Sequence, residues 1–131
     1  MTQATATGHD EVRVVTVDDQ AVFRATARDV VNATPGFTSL GEFASGEEAI
    51  PAIPELCPEL VLVDVRMPGM DGIETTRRIK FTASSTVVVL ISVEERANLP
   101  QDVATSGAAA VVSKQDFGPA LLRILWLVHG S

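Results

Sequence analysis

Basic residues are scarce in this sequence, cysteine is nearly absent, and no long hydrophobic run occurs. Ten Lys and Arg stand against 17 Asp and Glu, for a formal net charge of −7. That balance argues against a broad basic surface of the kind that neutralises nucleic-acid phosphates, so no direct nucleic-acid binding is expected. The single cysteine, Cys57, rules out an internal disulfide and fits a reducing compartment. As a small residue after a helix it is expected to be half-buried rather than reactive. The longest apolar candidates, Thr86–Ile91 and Ile124–Val128, fall far short of the ~20 residues that span a bilayer. Met1–Glu11 is polar and lacks the apolar segment of a secretory signal. These absences point to a cytoplasmic protein without membrane association. No linker-like stretch divides the 131 residues, so a single domain is expected. Met1 begins the chain, and it stops just after the last predicted helix. A complete single-domain chain is therefore expected.

What is present is a core. Hydrophobic residues make up 46% of the chain, enough to bury a real interior. Met1–Glu11 carries no periodicity and is expected to be a flexible tail (residues 1–11), followed by one domain over residues 12–129. Val12–Val17 is a β-branched run broken only by Arg13, as in a buried parallel strand. From Gln20 to Ala33, Val22, Phe23, Thr26, Ala27, Val30 and Val31 fall at helical spacing. Thr34-Pro35-Gly36 ends that helix, and Phe37–Phe43 reads as a second strand. Ser45 has the look of an N-cap, with Glu47 and Glu48 in the first turn. Pro51 and Pro54 are expected to shorten or distort the helix that follows. Leu60–Val63 is the most compact buried strand and ends on Asp64. A loop over Arg66–Gly72 leads to a helix over Ile73–Phe81. Thr86–Ile91 reads as a strand ending on Ser92, and Glu94–Ser106 as a weak helix containing Pro100. A last short strand, Ala109–Val112, precedes Lys114, and a final helix covers Phe117–Val128. Strands alternating with helices in this way imply a doubly wound α/β fold, a five-stranded parallel sheet with helices on both faces.

In such a sheet ligands bind beyond the carboxyl ends of the strands. Asp18 and Asp19 follow strand one, Asp64 closes strand three, Ser92 closes strand four, and Lys114 follows strand five. Taken singly each has an ordinary explanation. An Asp pair caps helices, a Ser caps turns, and a Lys is usually a solvated charge. Asp64 demands more, because a charge closing so apolar a run needs a reason. Together they form a site. Three carboxylates in one place repel and call for a cation, and hard oxygen donors suit Mg2+. A cation on one side, with an ammonium and a hydroxyl on the other, is what phosphoryl transfer requires.

These residues are similar to the signature of bacterial response-regulator receiver domains of two-component systems. Asp64-Val65-Arg66-Met67-Pro68-Gly69-Met70-Asp71-Gly72 resembles their phosphorylation-site loop, and Val14–Asp19 their first strand with its acidic pair. Val87–Ser92 resembles the strand ending in the Thr/Ser switch residue. Gly107-Ala108, with Lys114 beyond, resembles the fifth strand and its lysine. The resemblance covers about residues 12–128. It implies the flavodoxin-like receiver fold with strand order 2-1-3-4-5. It further implies that Asp64 accepts a phosphoryl group from a sensor histidine kinase, with Ser92 and Lys114 contacting the phosphoryl oxygens. The Mg2+ would be held by Asp18, Asp19, Asp64 and the main-chain oxygen of Arg66. The Met-Pro-Gly-Met-Asp-Gly loop is most like receivers that often carry a helix-turn-helix domain, expected here without that domain. Such a protein is not an enzyme in the ordinary sense, since it catalyses only its own phosphorylation and dephosphorylation.

Some positions depart from the family pattern. Val93 stands where a small residue usually follows the switch Ser, and is expected either to crowd the entrance to Asp64 or, through a slight backbone shift, to turn away from it. Val111 stands where an aromatic side chain often swings on activation, and the chain has no Tyr. Gln115 replaces a cis proline. The final helix carries Leu121, Leu122, Ile124, Leu125, Trp126, Leu127 and Val128 with only Arg123 charged, so part of its apolar surface is expected outside, available to a homodimer or protein partner together with the fifth strand. Two rivals are a degenerate receiver acting only as an interaction module, and an aspartyl phosphatase. The phosphatase needs an acid two residues after the nucleophile, where this chain has Arg66.

Overall fold

The computed structural model describes residues 11–130. The expected tail lies, but for Glu11, outside the described residues. Five strands form one parallel sheet: β1 (Val12–Val17), β2 (Phe37–Phe43), β3 (Leu60–Asp64), β4 (Val87–Ser92) and β5 (Ala110–Ser113). Their order is β2-β1-β3-β4-β5, and all pairings are parallel. The α-helices are α1 (Ala21–Ala33), α2 (Gly46–Leu56), α3 (Gly72–Thr82) and α4 (Pro119–His129). None of them is long and apolar enough to cross a membrane.

The two-residue period of a strand sends alternate side chains to opposite faces, and both faces of this sheet are covered. Val14, Leu60, Leu62, Val89 and Ile91 point to one side, where they meet Ala27 and Val31 of α1 and Leu122 and Leu125 of α4. Val15, Val17, Val61, Val63, Val88 and Leu90 point to the other, against Ala49 and Ile53 of α2 and Ile79 of α3. This double burial is why the central strands read as unbroken apolar runs.

The caps follow the local chemistry. Ser45 Oγ accepts from the Glu48 N–H at 3.1 Å, at the start of α2. Asp71 Oδ1 accepts from the Glu74 N–H at 2.9 Å, at the start of α3. Contrary to expectation, α2 runs unbroken through Pro51 and Pro54. Both prolines are exposed, so neither ring has to be fitted into the core. Cys57 is exposed rather than half-buried. It caps α2 in the left-handed region, φ 48°, which turns it outward ahead of Pro58.

The main correction concerns Glu94–Ser106. No α-helix forms there, only two short 3-10 turns, Arg96–Asn98 and Gln101–Thr105. Their bonds span three residues, as in Asn98 N–H to Glu95 O at 2.9 Å and Val103 N–H to Pro100 O at 3.3 Å. Pro100 has no N–H to donate and pushes Leu99 out of the helical region. Gly107, at φ +100°, ends the second turn. The final helix also starts later than expected. A 3-10 turn, Lys114–Asp116, and buried Phe117 precede Pro119, which takes the first helical position where its missing N–H costs nothing.

Candidate functional site

Strand register assembles the site. Asp64 pairs with Ile91, so Ser92 lies one step beyond it. Ser92 pairs with Ser113, so Lys114 lies one step beyond that. Asp18 and Asp19 follow β1, the neighbour of β3 on its other side. Asp18, Asp19 and Asp64 each present a carboxylate oxygen, and the three lie within 4.8 Å of one another.

Asp18 is buried, at 1% exposure. Its Oδ1 accepts from the Gln20 N–H at 2.8 Å. Its Oδ2 faces Lys114 Nζ at 2.8 Å but accepts no hydrogen bond of good geometry. Arg24 donates to the Asp18 main-chain oxygen at 2.7 Å, tying the end of β1 to α1. Asp19 is exposed. Lys114 Nζ also lies 3.7 Å from Asp64 Oδ2, with its side chain only 10% exposed. The ammonium therefore serves two carboxylates at once. Even so, the Asp64 carboxyl is pushed up from 3.8 to about 6. Burial is the main cause and the charge of Asp18 the next, and both outweigh the opposing pull of Lys114 and of the Arg66 backbone N–H.

The loop after β3 is held closely. The Gly72 N–H donates to Val65 O at 2.9 Å, and a Cβ on Gly72 would collide with the main-chain carbonyl of Asp64. Gly69 turns the loop at φ +73°, a conformation that glycine adopts freely. Glu47 Oε2 accepts from the Met70 N–H at 3.2 Å. The Arg66 side chain forms a forked ion pair with Glu94, at 2.7 Å and 3.4 Å. That pair joins the loops following β3 and β4 and raises the Arg66 pKa further.

Ser92 is buried, and its Oγ accepts from the Glu94 N–H at 2.9 Å. Of the two expectations for Val93, its exposure agrees with a side chain turned away from Asp64. It is 72% exposed, on the rim of a cleft of about 410 Å³ shared with Glu94, Leu99, Val111 and Gln115. Among the described residues no peptide bond is cis, in keeping with Gln115 in place of a proline. Sequence reasoning missed Gln20, Phe23 and Glu94 as neighbours of the site. Gln20 Oε1 lies 3.5 Å from Lys114 Nζ, and the Phe23 ring centre 4.7 Å from it. For Gln20 the signal was its place directly after the acidic pair; for Phe23, three residues further on, the sequence held none.

The donor set fits a magnesium ion. Three hard carboxylates converge, two of them buried, and Asp18 Oδ2 among them is buried without a hydrogen-bond donor.

This geometry and topology define a receiver. The model of the response regulator receiver domain matches residues 14–124, and the chain belongs to that family, the receivers of two-component response regulators, whose acidic pockets generally bind Mg2+. Among its relatives is protein-glutamate methylesterase/protein-glutamine glutaminase 4 of Myxococcus xanthus, 34% identical over 111 residues, which are 85% of this chain and 31% of that protein. Another is the response regulator UvrY of Escherichia coli, 32% identical over 103 residues, covering 79% of this chain and 47% of UvrY. The chain thus spans about a third to a half of these curated relatives. Of solved structures, the signal receiver domain of NarL from Mycobacterium tuberculosis matches with a TM-score of 0.81 at 28% identity, over 93% of this chain and 99% of that one. The response regulator domain of Thermotoga maritima CheB matches with a TM-score of 0.79 at 26% identity, over 92% and 98%.

Proposed function

We propose that residues 12–129 form a phosphorylation-dependent signalling receiver that takes a phosphoryl group on Asp64 from a sensor histidine kinase. The observation that carries this reading is the convergence of Asp18, Asp19 and Asp64 within 4.8 Å, with the Lys114 ammonium between Asp18 and Asp64. An Asp64 oxygen attacks phosphorus, the new O–P bond forms as the P–N bond of the donor phosphohistidine breaks, and the electron pair leaves with the imidazole. Asp18, Asp19, Asp64 and the main-chain oxygen of Arg66 would hold Mg2+, which when bound supplies positive charge beside the phosphoryl oxygens. Lys114 pairs with one phosphoryl oxygen, and the Ser92 hydroxyl donates to another. The intact set of five side chains stands against the degenerate reading.

The chain acts catalytically only on its own phosphoryl group. It works in the cytoplasm without binding nucleic acid or membrane. The exposed apolar residues Ile124, Leu127 and Val128 support a homodimer or protein partner at α4 and β5. Incubation with acetyl phosphate and Mg2+, followed by intact mass, should show one added phosphoryl group. Full labelling of Asp64→Asn, or equal labelling in EDTA, would overturn the reading.

A further inference from the structure

Lys114 has little backbone to hold it. It leaves an edge strand and enters a single 3-10 turn, and Gln115 gives that turn none of the stiffness a proline would. Its side chain has four rotatable bonds, and its two carboxylate partners lie at unequal distances, 2.8 Å and 3.7 Å. An ammonium on such a stem needs another restraint if it is to meet a phosphoryl oxygen in one position. The Phe23 ring supplies one. Lys114 Nζ sits over it, 4.7 Å from the centroid, within the range where the negative face of an aromatic ring attracts a cation. The ring is fixed in its turn. Phe117 packs against Phe23 with centroids 6.0 Å apart and planes tilted by 54°, within the separation at which aromatic pairs attract. Phe117 is buried, and its N–H donates to the Lys114 carbonyl at 3.4 Å. Lys114, its own turn, Phe117 and Phe23 thus close a ring of contacts joining β5 and the approach to α4 to the first turn of α1.

We propose that Phe23, steadied by Phe117, is a positioning residue that holds the Lys114 ammonium in place for the phosphoryl group. The proposal rests on the function given above. It gives this chain an aromatic element beside the site, although Val111 carries none. It also connects any movement of Lys114 on phosphorylation to Phe117, and so to the start of α4.

The test compares Phe23→Leu, which keeps apolar bulk but loses the ring face, with Phe23→Tyr, which keeps both, and with Phe117→Leu. In metal-free wild type, the Lys114 side-chain methylene signals next to Nζ should be shifted upfield by the ring, a measurement that needs no variant. The shift should vanish in Phe23→Leu and persist in Phe23→Tyr. With saturating Mg2+ and acetyl phosphate, the maximal labelling rate of Phe23→Leu should fall about 3- to 10-fold, the size expected of a partly desolvated cation–π contact. Phe23→Tyr should stay within about twofold of wild type and Phe117→Leu should fall between. In a Lys114→Ala background, Phe23→Leu should cause no further loss, since the ring acts through the ammonium. Unshifted Lys114 signals in wild type would overturn the proposal. So would a Phe23→Leu rate equal to wild type, or an undiminished effect of Phe23→Leu without Lys114. A wild type that takes no phosphoryl group at all refutes the proposed function itself, a different outcome from normal labelling that ignores Phe23.

Discussion

The Lys114 ammonium lies 2.8 Å from Asp18 Oδ2, and neither group has much access to water. Each makes the burial of the other tolerable. Truncating the lysine would strand Asp18 beside Asp64 without a counter-charge. Lys114→Ala is therefore expected to lower stability at neutral pH in EDTA by about 1–3 kcal/mol. Added Mg2+ should recover most of that loss. The check is a pair of denaturant titrations, with and without the metal, and equal losses in both would mean that the lysine does not share the work of a cation.

The Asp64 carboxyl binds its proton more tightly in the folded chain, near 6, than in the unfolded chain, near 3.8. Between these values the folded state holds more protons, so stability falls as pH rises through that window and stays lower above it. In EDTA, Asp64→Asn is expected to stabilise the protein at pH 7–8 by about 1–2 kcal/mol, after allowance for solvent at the open side of the site. The gain should disappear below about pH 4. Thermal melts across the pH range will test this, and a gain independent of pH would assign it to something other than the carboxylate.

Binding of Mg2+ to the native state alone should raise the melting temperature in proportion to the logarithm of its concentration once the site is saturated. Asp18→Asn combined with Asp19→Asn should abolish the rise. A variant that responds like wild type would place the metal elsewhere.

On α4, Leu122 is fully buried whereas Leu127 is 82% exposed. Leu122→Ala should cost about 2–5 kcal/mol, while Leu127→Glu should change stability by no more than about 0.5 kcal/mol. If the outer face pairs with a second copy or a partner, Leu127→Glu and Val128→Lys should weaken that association. Light scattering over a concentration series, compared with chemical denaturation, separates the two effects.

The sheet was legible because its central strands are buried on both faces. Val14–Val17, Leu60–Val63 and Val88–Ile91 carry no polar interruption apart from Thr16, so each strand and the residue closing it could be read directly. The main polar members of the candidate site came with them, since strand ends place Asp18, Asp64, Ser92 and Lys114 without reference to packing. The stretch after β4 was misread because Leu99 and Val103 do pack on the core, which mimics a helical stripe, while Pro100 removes the bond a helix would need. Phe23 was read only as part of the apolar face of α1. Its nearness to Lys114, 91 residues later in the chain, depends on how α1 and the β5–α4 connection meet over the sheet, which no local pattern records.

The two 3-10 turns between β4 and β5 bear on how the molecule responds as well as on how it is built. A continuous helix behaves as a lever, and a push at one end arrives at the other. Two short turns broken at Leu99-Pro100 can each rearrange alone, with few bonds to break. A shift at Ser92 should therefore be damped within a few residues on that side, and the amides of this stretch should exchange hydrogen well before those of β4.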